Sequence, residues 1–200
     1  IDMDMKNSKY TFKENVFKLN DFQLDFNGWL EMTTDLAMDI KFKSNQNTFK
    51  SLLSLVPGAY TKDFASVKVS GNTKFDGFVN GKMNEKEMPK FKVNLDVNNA
   101  SFQYPGLPKS ATGIVIKGNA SANGNPTMDD MKINIPTIAM NLGSNPLSGH
   151  FNLITPISDP GIDLGIKTDI NLATLKDVIP MGEGESYNGH IKADLAVKGH

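Results

Sequence analysis

Residues Val69-Ser70-Gly71-Asn72-Thr73-Lys74-Phe75-Asp76-Gly77-Phe78-Val79-Asn80-Gly81 decide the fold class, because, Phe78 apart, apolar and glycine positions fall on odd numbers and polar ones mostly on even numbers. A period of two sends alternate side chains to opposite faces of a strand. The phrase returns as Tyr187-Asn188-Gly189-His190-Ile191-Lys192-Ala193-Asp194-Leu195-Ala196-Val197-Lys198-Gly199, with matching parity. Its flanking glycines coincide with those of the first copy at an offset of about 118 positions. A short helical pattern closed by proline precedes each copy: Phe49-Lys50-Ser51-Leu52-Leu53-Ser54-Leu55-Val56-Pro57 and Leu172-Ala173-Thr174-Leu175-Lys176-Asp177-Val178-Ile179-Pro180. The chain therefore predicts an internal repeat over approximately 20–81 and 138–199. What recurs is scaffold rather than a cluster of reactive side chains, which points to a presented surface.

Outward from these two phrases the same alternation continues. Val93, Leu95 and Val97 alternate with Lys92, Asn94 and Asp96, and Leu36, Met38, Ile40 and Phe42 with Asp35, Ala37, Asp39 and Lys41. Shorter runs are Phe22-Leu24-Phe26, Ile114-Ile116, Met131-Ile133-Ile135, Ile138-Met140-Leu142, Phe151-Leu153 and Leu164-Ile166. Strict alternation suits an antiparallel sheet with one wet face and argues against a doubly wound parallel sheet. Asn27-Gly28, Asn80-Gly81, Asn123-Gly124-Asn125-Pro126, Gly143-Ser144-Asn145-Pro146, Ser158-Asp159-Pro160-Gly161 and Asn188-Gly189 read as the connecting turns. Roughly a dozen strands follow from this spacing.

The two helical patterns place Phe49, Leu52, Leu53 and Val56 on one stripe and Leu172, Leu175, Val178 and Ile179 on another, with Thr48 or Asn47 and then Asn171 as N-caps. Each is about two turns long and too short to be stable alone, so each must dock on the sheet as a plug over an open end or edge. Glycines recurring on the apolar face allow a sharp bend there. The expected fold is all-β with two short helices: a curved antiparallel sheet forming an open, taco-like groove or a sandwich-like structure. Residues 1–200 read as a single segment. Its apolar lining is expected from Val93, Leu95, Val97, Ile114, Ile116, Ile133, Ile135, Met140, Leu142, Phe151, Leu153, Ile191, Leu195 and Val197.

Composition narrows the function. The 200 residues carry a formal net charge of −1, which gives no field to steer nucleic acid or acidic substrates. Every basic residue is lysine, and the planar guanidinium fork favoured for base reading and phosphate clamping is missing, so no nucleic-acid partner is expected. Without cysteine there is no thiol catalysis, disulfide or thiolate metal site. No apolar run approaches the roughly 20 residues of a helical membrane span. The alternation already running at Ile1 and still present near His200 predicts a piece cut from a longer protein, with any membrane anchor outside it.

Candidate chemistry is sparse. His150 and His190 sit in matching contexts just after a turn, on the polar face, and no H-x-H or H-x-x-x-H spacing occurs. Asp129-Asp130 and Glu183-Gly184-Glu185 lack the ligand spacing of a calcium loop. There is no G-x-S-x-G elbow, and Gly182-Glu183-Gly184 lacks a phosphate loop's setting. No catalytic residue, metal ligand or cofactor is expected. The 10 methionines fit an adaptable apolar binding surface, although filling gaps in a core is their commoner role. The alternative function is a structural or adhesive β-sandwich module that binds protein or glycan through its loops, and Tyr60, Tyr104 and Tyr187 are the loop aromatics a glycan reader would use.

Val97-Asn98-Asn99-Ala100-Ser101-Phe102-Gln103-Tyr104-Pro105-Gly106-Leu107-Pro108, followed by Gly113-Ile114-Val115-Ile116 and Asn119-Ala120-Ser121-Ala122-Asn123, resembles the periplasmic region of the AsmA-like family. These are relatives of TamB, and the likeness is to the Bacteroidetes-type outer membrane assembly members. Both helix-proline-strand units share the resemblance, as does Asp21-Phe22-Gln23-Leu24-Asp25-Phe26-Asn27-Gly28-Trp29-Leu30. The resemblance implies a periplasmic β-groove tethered to the inner membrane by a segment not present here. It further implies a role in outer-membrane biogenesis, phospholipid or other acyl-chain lipid as cargo, and envelope proteins as possible partners. It carries no catalytic residue.

Overall fold

The computed structural model describes residues 1–44, 47–55, 66–182 and 184–200. The strands are β1 (Asp2–Asp4), β2 (Lys9–Leu19), β3 (Phe22–Met32), β4 (Leu36–Lys43), β5 (Lys68–Met83), β6 (Lys90–Gln103), β7 (Ala111–Ala122), β8 (Lys132–Leu142), β9 (Asn145–Ile154), β10 (Gly161–Asn171) and β11 (His190–Gly199). Helix α1 (Phe49–Leu53) lies between β4 and β5, and a 3-10 helix, η1 (Leu172–Asp177), lies between β10 and β11. All strands join one 11-stranded sheet in chain order, every pair antiparallel. The two outermost strands, β1 and β11, do not pair with each other, so the sheet is open. The protein adopts the groove form of an all-β fold, as a single layer with no second sheet among the described residues.

Bulges bend the sheet while keeping one face apolar. In β6 the register slips between Val97 and Phe102, where Asn99 takes φ 47°, so odd Val93, Leu95 and Val97 share a face with even Ala100 and Phe102. In β8 the slip between Ile135 and Ile138, at Pro136-Thr137, does the same for Ile133 and Ile135 on one side and Ile138, Met140 and Leu142 on the other. The two short runs expected there form one strand, because proline is tolerated in a sheet at a bulge. Each bulge adds local twist and bends its strand.

Two expected turns are strand interior. Asn27-Gly28 lies within β3 and Asn80-Gly81 within β5. Gly28 has φ +132°, and a Cβ there would meet the Asp39 carbonyl oxygen at 1.9 Å. The glycine serves close backbone approach instead of a hairpin. Asn123-Gly124, Gly143-Ser144, Asp159-Pro160 and Asn188-Gly189 do fall between strands.

Both helices are shorter than their patterns. Thr48 Oγ1 accepts from the Ser51 amide at 3.2 Å and Asn171 Oδ1 from the Ala173 amide at 3.1 Å, so each expected cap begins its helix. Leu172 and Leu175 lie in η1, whereas Val178 is its C-cap and Ile179 follows it. Val56, Pro57, Tyr60 and Glu183 lie outside the described residues.

The two strand-helix-strand units pair alike. Met38↔Gly81, Ile40↔Val79, Phe42↔Gly77 and Lys43↔Asp76 in β4–β5 correspond to Ile162↔Gly199, Leu164↔Val197, Ile166↔Leu195 and Lys167↔Asp194 in β10–β11.

Candidate functional site

The cross-strand register makes one face of the sheet continuous. Phe26, Phe42, Gly77, Val93, Ala120, Ile133, Leu153, Ile162 and Gly199 stand opposite one another in turn, one from each strand of β3 to β11. Beside them run Ile135, Phe151, Leu164 and Val197, and then Val97, Ile116, Ile138, Gly149, Ile166 and Leu195. One residue along, on the opposite face, the row reads Asp25, Lys43, Asp76, Asn94, Asn119, Asn134, Asn152, Asp163 and Lys198. The faces are therefore chemically opposite: no charged side chain interrupts the first row, and nothing aliphatic interrupts the second. All fourteen expected lining positions lie on the apolar face, Ile114 through its place in the buried cluster and Ile191 opposite Ile170.

Burial along this face is uneven. Phe49, Val97, Ala100, Ala111, Ile114 and Val178 form the buried cluster, with Leu52, Leu53, Leu95, Ile116, Met140 and Leu142 packed against it. Both helices thus converge on one end of the groove, Phe49 from α1 and Val178 from just after η1. Val97 is fully buried there (0% exposed). Val93, Ile133, Ile135, Phe151 and Leu153 are half-buried, while Ile191, Leu195 and Val197 on β11 are exposed (45%, 59% and 58%). Leu172 and Leu175 are half-buried and Ile179 is exposed.

Phenylalanines line the β3–β5 part of the face. Phe42 and Phe75 stack at 5.7 Å, and Phe22 meets Phe75 edge-on at 5.7 Å. The Phe42 ring lies over Gly77, where a Cβ would come within 2.7 Å of Cζ. These rings, with Ile162, Leu164 and Ile166, belong to the groove although sequence reasoning did not place them in it. Their alternation was visible, but the register that aligns them with Val93 was not.

Two buried asparagines fix the helix ends to the sheet. Asn47 exchanges hydrogen bonds with the Gln23 backbone at 2.8 and 3.1 Å. Asn145 donates to the Leu142 carbonyl and the Thr174 hydroxyl at 2.9 Å each, and accepts from the Asn171 amide at 2.9 Å. On the polar face His150 Nε2 lies 3.0 Å from Asp163 Oδ1, and His190 bonds Asp169, so each histidine ties its strand to β10. The His150 hydrogen bond, with a further contribution from Lys198 at 3.6 Å, holds the Asp163 carboxyl below its usual value. Among the described residues no group of three or more histidine, aspartate or glutamate side chains could hold a metal ion.

No protein-family model, no curated protein and no solved structure matches this chain.

Proposed function

We propose that the apolar face shields or conducts lipid acyl chains without enzymatic chemistry. The observation that carries this reading is the uninterrupted apolar row across β3 to β11, half-exposed and backed by a polar face. Strand spacing of about 4.8 Å makes that row roughly 38 Å long along the sheet. One leaflet's tails span about 15 Å, half of a bilayer core, so an entire chain fits along the row. Each methylene removed from water contributes about 0.8 kcal/mol, whereas the headgroup stays in water at the groove mouth. Sliding along a surface of uniform chemistry needs neither a reactive residue nor an energy source.

The resemblance to the AsmA-like family supplies the setting for this proposal. It is a periplasmic segment tethered to the inner membrane, working in outer-membrane assembly with phospholipid as cargo and other envelope proteins as partners.

A photo-crosslinking amino acid at Leu95 or Leu195, in the presence of diacyl phospholipid vesicles, tests the reading. Capture of lipid from these positions, with none from Asn94 or Asp194 on the opposite face, is the expected result. Equal labelling of both faces, or a groove that takes up neither lipid nor hydrophobic dye, rejects it.

A further inference from the structure

Antiparallel strands give the sheet two rims. One carries the β4–β5 and β10–β11 connections with α1 and η1, and the other carries the β3–β4, β5–β6, β7–β8 and β9–β10 turns. On the helix rim the connections are tied together. Asn20 Nδ2 donates to the Ser54 carbonyl at 2.7 Å, and the Lys109 amide donates to the Asp177 carbonyl at 2.9 Å. The turn rim has no helix among the described residues. β3 shows the contrast within one strand: on the same apolar face, Phe22 at its helix end is 4% exposed and Met32 at its turn end 54%.

The apolar row does not run parallel to these rims. In β8, β9 and β10 it passes through Ile133, Leu153 and Ile162, each next to the terminal residue of its strand on the turn rim. In β4 it passes through Phe42, next to the terminal residue Lys43 on the helix rim. Val93 and Gly77 lie between. The row therefore crosses the groove obliquely, from an open end over β8–β10 to a closed end at β4–β5. The stacked Phe42 and Phe75 rings, Phe22 edge-on to Phe75, and α1 packed on β3 and β5 close that end.

A phospholipid has one end that must stay in water and another that gains by leaving it. Burying an unpaired charged headgroup is costly, whereas each buried methylene is favourable. We infer that a diacyl phospholipid lies on this row with a single polarity, its headgroup at the turn rim over β8–β10 and its tail tips towards Gly77 and Phe42. The inference rests on the acyl-chain reading above and adds a direction to it. The lengths agree. From Ile133 in β8 to Gly77 in β5 is three strand spacings, about 14 Å, and one leaflet's tails span about 15 Å. The opposite polarity would press the headgroup against Phe22, Phe42 and Phe75. β8 and β9 have neighbours on both sides, so the open end does not depend on where the sheet stops.

Two versions of one diacyl phosphatidylcholine, supplied in vesicles to the whole chain, test the polarity. One carries a photoreactive diazirine on the headgroup, the other on the terminal carbon of an acyl chain. Mass spectrometry of the crosslinked peptides locates each group. The headgroup probe should label residues 123–131 and 155–160, the turns beside Ile133 and Leu153. The tail probe should label residues 40–43, 75–79 and 91–95. Each probe should favour its own end about ten-fold or more, equivalent to about 1.4 kcal/mol between the two orientations. Reversed or equal labelling, with lipid captured, overturns the fixed polarity and leaves the acyl-chain reading standing. Capture by neither probe overturns both.

Discussion

The units β4–α1–β5 and β10–η1–β11 have the same pairing and opposite fates. In the first, Phe42 and Phe75 stack, Phe49 is buried, and β6 covers the outer edge of β5. In the second, Ile191, Leu195 and Val197 occupy the corresponding face of β11 and remain exposed. The apolar pattern is as strong in β11 as in β5, so pattern does not determine burial. Neighbours do: a strand inside the sheet is shielded from both sides, an edge strand from one. The sheet is therefore a graded structure, with a small packed core where the helices converge and an apolar surface that opens towards β11.

The gradient is broken most directly by truncating one side chain at each end. Ile114 sits in the core with Val97 and Ala100, and Ile114→Ala should cost roughly 2–4 kcal/mol, through lost transfer energy and the cavity left behind. Ile191→Ala on the exposed strand should cost under about 0.5 kcal/mol. Urea denaturation of both variants gives the comparison. Similar losses would mean that β11 is packed in solution, and the graded picture would fail.

A smaller effect sharpens the equivalence of the two units. Gly77 and Leu195 occupy the same pairing position, opposite Phe42 and Ile166 respectively. A Cβ at Gly77 would meet the Lys92 carbonyl oxygen at 2.2 Å and the Phe42 ring at 2.7 Å. Gly77→Leu should therefore destabilise by about 1–3 kcal/mol through overpacking. The reverse exchange, Leu195→Gly, removes an exposed side chain and should cost about 1 kcal/mol or less, chiefly in backbone entropy. Thermal unfolding of the two variants separates the cases, and a larger loss for Leu195→Gly would contradict the register match.

Much of this architecture was legible in the residues. Alternation in Val93-Asn94-Leu95-Asp96-Val97 and in β11 identifies the strands and the apolar face, because period two is a property of the local backbone. The caps Thr48 and Asn171 were legible for the same reason: they act on amides two or three residues away. What was not legible is non-local. Asn27-Gly28 and Asn80-Gly81 have hairpin chemistry, yet only the approach of Asp39 explains why the first holds a glycine within a strand. The bulges at Asn99 and Pro136 reverse the parity of their strands, so a fixed odd or even count loses the face halfway along. Whether a second layer covers the face cannot be read from alternation at all, since a covered and an open apolar face have the same period.

The smallest expected difference between the units is electrostatic. Asp39 in β4 and Asp163 in β10 occupy equivalent positions, paired with Asn80 and Lys198 respectively. Asp39 also stands opposite Trp29, whereas Asp163 accepts from His150 and has Lys198 within 3.6 Å. The His150 hydrogen bond is the main reason that the Asp163 carboxyl titrates below its ordinary 3.8. A carboxyl depressed by folding contributes stability that is fully present above its unfolded value and is lost as pH falls through its folded value. Asp163→Asn should therefore remove part of the stability present above pH ~4 and flatten its decline on acidification. The change should be small, because the group is partly exposed and open to solvent screening. Melting temperatures of the variant and the parent between pH 6 and 3 (a range spanning the usual carboxyl region) measure the effect. An acid limb unchanged by Asp163→Asn would show that the histidine bridge on β10 does not supply this stability to the second unit.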